Sequence, residues 1–424
     1  MTQSPPPLFW RRLALIAAAA FGLRASAAVL LERHPLFPAY YYQDALLTDQ
    51  LAKRVFSLWR DGRLPPLPYA PSQRLLAVLT AALYRAAGPR PLAAQLVNGA
   101  LGGAAVFALG ALGLVYAAPQ AALWGAGLIA VWPSDVFYSS QNLKEAPIHA
   151  LAWFALLALL GAPQSRRAAG WGAAGVTAMI AAGLIRPYLL IPFFASLAAA
   201  SFYSAISRAD RKKIAFPLGA ALIGALAYHA ASDLIYNRLI PAPKYSVATE
   251  NVIVPVAVDA QGRRFNPLSP RAVGEFRRYR QSSDAANSRF TTGRDIQSQI
   301  LPGARLDGWG DLALFLPRGA FYALFMPLPG LYPAEGKLGR LMASLENLAA
   351  LALFLLACVS LARRRLDACR FAIAVFVAVM ALASGLFELD LGSAARHKLL
   401  YLPLLFPLAA EEALSLMRRR KGRI

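Results

Sequence analysis

Long apolar stretches recur along this 424-residue chain, and short polar or charged segments separate them. A helix needs about 20 mostly apolar residues to cross a bilayer, and inside lipid a helix satisfies its own backbone hydrogen bonds. The pattern predicts an all-α polytopic membrane protein with about ten transmembrane helices, within a range of about 10–12. The ten predicted spans are Phe9–Leu31, Leu92–Ala117, Ala121–Trp132, Ile148–Leu160, Ala168–Ile185, Leu189–Ile206, Ile214–Ala231, Leu341–Leu361, Phe371–Leu386 and Leu399–Met417. The third and fourth are short for a crossing.

Basic residues gather beside alternate span ends, which predicts an orientation. Under the positive-inside rule these clusters face the cytoplasm. They are Arg11/Arg12, Arg166/Arg167, Arg208 with Arg211–Lys213, Arg363–Arg365 with Arg370, and Arg418–Lys421 with Arg423. Ten crossings that start in the cytoplasm also end there, as the last basic run requires. We therefore expect a multi-pass protein of the cytoplasmic (inner) membrane of a bacterium, with both termini in the cytoplasm.

This orientation divides the chain into three parts. Residues 1–231 form an N-terminal transmembrane module with two acidic outer loops, 32–91 and 134–147. Residues 232–340 form an extracytoplasmic loop, and residues 341–424 carry the last spans and a basic cytoplasmic tail. Two half-apolar pieces of the outer segments, Leu75–Ala87 and Leu312–Leu331, are predicted to be outer-face interfacial or re-entrant helices, because crossings there would break the alternation unless both crossed.

The net charge of +22 exceeds what orientation needs, and many of the extra arginines fall in the long outer loop. Two explanations remain open: a solvated loop beside anionic lipid headgroups, or capture of a phosphate-bearing substrate by guanidinium groups. A nucleic-acid partner is not expected outside the membrane. The two cysteines and four histidines show neither a disulfide framework nor zinc-ligand spacing.

The first outer loop contains an acid with catalytic potential. Apolar residues at helical spacing predict an amphipathic helix over Asp44–Arg60. Asp44 falls at its start on the apolar side, whereas Asp49, Lys53 and Arg60 fall toward the polar face. Asp44 is either a simple N-cap or a general base held at the membrane surface.

The second outer loop reads WPSDVFYSSQNLKEAP and contains a second acid. Glu145 lies at the outer mouth of the next helix, where acids are also favoured by the helix dipole alone. If it is functional, Asp44 and Glu145 lie on one face and can bind a cation or divide base and acid duties. Asp49 and Asp135 are secondary candidates.

Several ordered motifs resemble a known family, the GT-C membrane glycosyltransferases, in particular the lipid A aminoarabinose transferases and protein O-mannosyltransferases. The acidic first loop around Asp44 is followed by PPLPYAPSQRLLAVLTAALYRAAGP and then by the second acidic loop. Arg186-Pro187-Tyr188, PRGAFYALFMPLPG and Arg396-His397-Lys398 complete the series. The resemblance extends from Phe9 to about Ala410. It departs at Thr48, where the family has an aromatic residue, and the adjacent Asp-Glu pair of the mannosyltransferases is absent.

The resemblance implies that the protein transfers a sugar from a polyprenyl-phosphate donor to a glycan, lipid or protein acceptor at the outer face of the membrane, with inversion. It implies catalytic roles for Asp44 and Glu145. The leaving phosphate would be stabilised by cations at outer helix ends, although each of these can instead anchor its helix at the headgroups. Those candidates are Lys144, Arg186, Arg396, His397 and Lys398. The cofactor stays unknown: the sequence requires no divalent cation, and Asp44 and Glu145 are the predicted ligands if one binds.

Two other functions are compatible with the same pattern. A sugar or lipid transporter (a flippase) would also have about ten helices, but it should show inverted repeats or charges at mid-membrane. A ligase or polymerase of polyprenyl-linked glycans would share the arginine-rich outer loop. Arg24, within the first predicted span, either reaches outward to the headgroups or is buried beside an acid.

Overall fold

The computed structural model describes most of the chain as helices. The described residues are 7–37, 41–62, 71–165, 167–207, 211–240, 273–274, 277, 299–301, 304, 306–332 and 338–421. The helices are α1 Pro7–Arg33, α2 Gln43–Arg60, α3 Pro71–Ala87, α4 Pro91–Tyr116, α5 Pro119–Ala130, α6 Pro133–Ser139, α7 Glu145–Gly161, α8 Ala168–Ile185, α9 Leu190–Ile206, α10 Arg211–Ser232, α11 Trp309–Phe325, α12 Leu338–Arg363, α13 Ala368–Phe387, α14 Leu391–Tyr401 and α15 Phe406–Lys421. A π-helical turn, Asp233–Leu239, extends α10. Within the described ranges, β pairing is limited to one isolated bridge between Gln299 and Asp390.

Eight helices of the described chain are long and apolar enough to cross a membrane. They are Pro7–Arg33, Pro91–Tyr116, Ala168–Ile185, Pro187–Ile206, Lys213–Leu239, Leu338–Arg363, Ala368–Phe387 and Leu391–Arg420. Each coincides, to within one residue or more closely, with one predicted span or contains it, so the predicted class, an all-α multi-pass membrane protein, is confirmed.

The other two predicted spans correspond to shorter helices. The α5 helix has 12 residues, and α7 is a shorter apolar helix of 17 residues. At 1.5 Å per residue α5 is about 18 Å long, well short of the roughly 30 Å of a hydrocarbon core. Its backbone leaves the helix at Val131, and Pro133 starts the separate short helix α6.

Ion pairs and polar contacts show which helix ends lie together. At one end of the bundle, Arg370 donates to the Tyr116 carbonyl at 2.8 Å and to Glu411 at 3.0 Å. Arg363 pairs with Glu412 at 2.9 Å, and Arg418 donates to the Gln120 side chain. Basic residues that the sequence assigns to the cytoplasmic side therefore meet at one end, opposite the site described below. Which membrane face this end contacts stays a prediction.

The two predicted amphipathic segments form a packed pair of helices, α2 and α3. Ala52 and Val55 of α2 pack against Ala81 and Tyr84 of α3. Asp49, predicted on the polar face, is instead buried: it accepts a hydrogen bond from the Tyr84 hydroxyl at 2.6 Å. Asp49 lies three residues before Ala52 and therefore shares the helix face that α3 covers.

Asp44 lies seven residues before the buried Leu51, and so on the predicted side of α2, but at the exposed start of the helix. Its side chain is 58% exposed. Tyr42 is the N-cap of α2 and makes no side-chain capping bond, so Asp44 is a first-turn residue and the simple N-cap explanation is wrong.

The predicted interfacial or re-entrant segment Leu312–Leu331 overlaps α11, which is not among the candidate spans. Pro317 lies inside the helix, and the helix ends before Met326. Its C-terminal residues Leu324 and Phe325 are buried in the bundle. The α11 helix crosses α13 closely at Gly319, where an added Cβ atom would lie 2.7 Å from the Gly385 carbonyl oxygen.

Arg24 is buried beside an acid, which decides between its two predicted placements. The guanidinium contacts the Asp135 carboxylate and donates to Ser139 at 2.8 Å and to the Ala130 carbonyl at 3.1 Å. His149 lies 3.2 Å from the other Asp135 oxygen. The network fastens α1 to α5, α6 and α7 inside the bundle.

Candidate functional site

Helix α2 meets helix α14 at one ion pair. The N-cap Asp390 begins α14 by accepting a hydrogen bond from the Ser393 amide at 2.9 Å. One and a half turns later, the Arg396 guanidinium contacts the Asp44 carboxylate of α2. The Arg396 side chain is 23% exposed, so solvent or a ligand can reach this pair.

A second ion pair lies deeper. Glu145, the first residue of α7, accepts a hydrogen bond from Arg186 at 2.9 Å, and both side chains are buried. Arg186 follows α8 and also donates to the Tyr188 hydroxyl at 2.8 Å. Glu145 lies within the electrostatic range of Arg396 too, so the charge of Arg396 acts on both predicted catalytic acids. Within the described structure, the second oxygen of Glu145 has no hydrogen-bond partner.

A third acid, absent from the sequence prediction, completes the cluster. Glu388 follows α13 directly, and its carboxylate contacts Nδ1 of His397. Burial raises the pKa of Glu388, but the charges of His397, Arg186 and Arg396 outweigh burial and hold that pKa below its usual value. Its sequence signal was an acid in the short polar break, Glu388 to Asp390, between two apolar runs.

Tyr138 of α6 is a further residue that the sequence prediction missed, although it lies inside the second acidic loop. Burial and the nearby carboxylates of Glu145 and Glu346 raise the pKa of Tyr138, while Arg396 opposes them. The hydroxyl therefore stays protonated and can act as a hydrogen-bond donor in the site.

An aromatic cluster adjoins Asp44 and joins the start of α2 to α6. The ring of Phe137 lies 5.0 Å from Phe37, 5.7 Å from Tyr42 and 6.5 Å from Tyr41, between ring centroids. Tyr40, the residue before Tyr41, lies outside the described residues. The cluster supplies an apolar wall next to an exposed carboxylate.

Lys398, Asp49 and Asp135 were predicted for the site but do not join the charged groups around Arg396. Lys398 is buried and donates to the Leu324 carbonyl at 3.2 Å and to Asn347, so it ties α14 to α11 and α12. Residues two positions apart on a helix point in nearly opposite directions, which is why Lys398 leaves the side that Arg396 occupies. Asp49 bonds Tyr84, and Asp135 bonds Arg24 and His149. Lys144 precedes Glu145, and its charge acts on that carboxylate.

The carboxylates do not fit the predicted metal site. In the described part of the chain, no group of three or more His, Cys, Asp and Glu residues could hold a metal ion. Asp44 faces the Arg396 guanidinium, and Glu145 faces that of Arg186. Guanidinium groups therefore stand where a shared cation would bind, and the arrangement suits an incoming anion better.

Comparison with known proteins gives a structural likeness but no family match. No protein-family model matches the chain, and no curated protein matches it. Among solved structures, the chain is similar to the oligosaccharyltransferase of Archaeoglobus fulgidus in its apo form, with 14% sequence identity and a TM-score of 0.46. The match covers 96% of this chain and 52% of that one. The chain thus spans about half the length of that protein, and a likeness of this degree assigns it no activity.

Proposed function

We propose that this chain is a membrane glycosyltransferase of the GT-C type. In this proposal it moves a sugar from a polyprenyl-phosphate donor to an acceptor hydroxyl at the outer face of the cytoplasmic membrane. The observation that supports this proposal most directly is the ion pair between Asp44 of α2 and Arg396 of α14. The Glu145–Arg186 and Glu388–His397 pairs lie within electrostatic range of that contact.

The proposed reaction is a single displacement. The acceptor oxygen attacks the anomeric carbon while the bond from that carbon to the phosphate oxygen breaks. The bonding electron pair leaves on the phosphate, and the acceptor proton passes to Asp44. One displacement inverts the anomeric configuration, and no metal is needed to balance it.

Arg396 and His397 are the proposed contacts for the phosphate. A guanidinium can bind phosphate oxygens in pairs, and such preorganised donors stabilise the charge that develops on the leaving group. Arg186 is already engaged by Glu145 and Tyr188. Arg186 is therefore better suited to holding Glu145 in place than to binding a ligand.

The exposed acid and the aromatic wall suggest where the other reactants lie. Asp44 is open to solvent beside Phe37, Tyr41 and Tyr42, so an acceptor can approach its free oxygen. The second oxygen of Glu145 is buried without a hydrogen-bond partner in the described structure, and in this proposal it accepts from a sugar hydroxyl once the donor enters the site. The polyprenyl chain would lie along the bundle in the bilayer.

The test compares Asp44→Asn with Asp61→Asn in purified protein, reconstituted in nanodiscs with a bacterial lipid extract containing polyprenyl-linked sugars. The side chains of both acids are 58% exposed, so Asp61 is a matched control at the other end of α2. Loss of the general base should lower transfer by roughly 10²–10⁴-fold in Asp44→Asn, with Asp61→Asn at the wild-type rate. Folded Asp44→Asn protein that transfers sugar as fast as wild type would refute the assignment.

A further inference from the structure

Glu388 occupies a position that its own helix does not favour. It is the C-cap of α13, where the helix dipole is negative and an anion is repelled. Its side chain is only 13% exposed, so the carboxylate has also lost most of its water. Helix stability therefore does not explain an acid at this position.

The cost is offset by the cations around the carboxylate. Glu388 contacts Nδ1 of His397, and the charges of Arg186 and Arg396 also act on it. The turn that holds Glu388 is fixed on both sides. Its amide donates to the Ser384 carbonyl at 2.8 Å, and the next residue, Leu389, accepts from the Ile300 amide at 2.9 Å.

An ionised carboxylate on Nδ1 determines what the imidazole can do elsewhere. Nδ1 must carry a proton to bond Glu388, so Nε2 is the nitrogen left for a ligand. The carboxylate also fixes the ring orientation, and its charge offsets part of the burial and of the Arg186 charge that disfavour the doubly protonated ring. A phosphate that binds at Nε2 adds a second negative charge, and the doubly protonated ring then donates to it from Nε2. A phosphate oxygen is the ligand that such a donor fits.

We infer that Glu388 is a positioning residue for the donor phosphate, acting through the Nδ1 contact that holds His397 next to Arg396. This inference rests on the proposed function, since it assumes that a phosphate-bearing lipid binds at Arg396. It assigns a role to an acid that makes no direct contact with the ligand.

Binding of polyprenyl phosphate in nanodiscs tests the inference. Glu388→Gln keeps an oxygen that can accept from Nδ1 but removes the charge. We expect the dissociation constant to rise about fivefold, as for loss of one charge-assisted contribution. Asp390→Asn is the matched control from the same turn, because Asn caps a helix about as well as Asp, and its affinity should equal that of wild type.

A double-mutant cycle separates positioning from a purely structural role. If Glu388 acts through His397, Glu388→Gln should weaken binding little further in a His397→Gln background, with the melting temperature near that of wild type in each variant. Additive losses, or wild-type affinity in Glu388→Gln, would overturn the inference and leave the proposed function standing. A wild-type protein that does not bind polyprenyl phosphate would overturn both.

Discussion

Asp44 and Arg396 are 352 positions apart in the chain, and their contact makes the proposed base and the proposed phosphate ligand competitors for each other. While Arg396 holds Asp44, one carboxylate oxygen and part of the guanidinium are occupied. A donor phosphate that takes over Arg396 would release Asp44 for proton transfer. Donor binding and base activation are therefore expected to be coupled.

This coupling predicts opposite effects for the two partners. Asp44→Asn should bind polyprenyl phosphate more tightly than wild type even though it is inactive, because the competing carboxylate is gone. Arg396→Ala should bind it more weakly, by about 2 kcal/mol or roughly 30-fold, the value of one hydrogen bond to a charged group. Titration in nanodiscs measures both, and weaker binding in Asp44→Asn would contradict the competition.

The Arg24–Asp135 pair predicts a stability effect. Arg24→Met would leave the buried Asp135 without its cation, and breaking a buried pair from one side typically costs about 3–5 kcal/mol. The double variant Arg24→Met/Asp135→Asn should recover part of that loss, since no charge is then left uncompensated. Thermal unfolding in detergent measures this, and a double variant less stable than Arg24→Met would contradict it.

At the residue scale, the sequence predicted the composition of the site better than its geometry. Asp44, Glu145, Arg186 and Arg396 were predicted because each is a charge at an expected outer helix end, which is a property of local sequence. Lys398, Asp49 and Asp135 were also proposed for the site and lie elsewhere, because a charge at a helix end does not show which neighbour covers its face. For the same reason the sequence prediction missed Glu388, whose proposed role depends on its contact with His397 in the following helix.

At the scale of elements, hydropathy predicted the eight long helices, because burial in lipid requires an unbroken apolar run. Hydropathy predicted Ala121–Trp132 as a full crossing. The 12-residue α5 is too short for one, and a separate short helix begins at Pro133. The amphipathic pattern predicted α2 and its buried Leu51 and Val55, but it placed the buried Asp49 on the polar face. The leucines of α2 differ in burial: Leu51 is buried, whereas Leu46 and Leu47 are exposed.

The crossing of α11 and α13 gives a prediction for helix packing. Gly319→Ala would push a methyl group against the Gly385 backbone, which cannot yield as a flexible side chain can. We expect about 1–3 kcal/mol of destabilisation, the usual range for overpacking. Gly310→Ala in the same helix is the control, because its added Cβ would meet nothing within 4 Å. Equal melting temperatures for the two variants would show that the helices separate easily.

At the scale of the whole molecule, the two ends of the bundle have different chemistry. One end joins Arg363, Arg364 and Arg370 to Glu411 and Glu412. These residues belong to α12 and the turn after it, to α13 and to α15. The other end brings together acids and cations from elements between α2 and α14 in the chain. Ion pairs at the first end reinforce the bundle, whereas those at the second lie beside an exposed carboxylate.

The last prediction tests which end faces outward. With Cys358 and Cys369 replaced, single cysteines at Gln50 and at Ser207 would mark opposite ends, and both positions are exposed. Positive charge beside the spans places Ser207 in the cytoplasm. A membrane-impermeant maleimide should therefore label Gln50→Cys in intact cells and Ser207→Cys only after permeabilisation. The reverse pattern would turn the bundle over and place Asp44 and Arg396 on the cytoplasmic face, where a donor presented at the outer leaflet could not reach them.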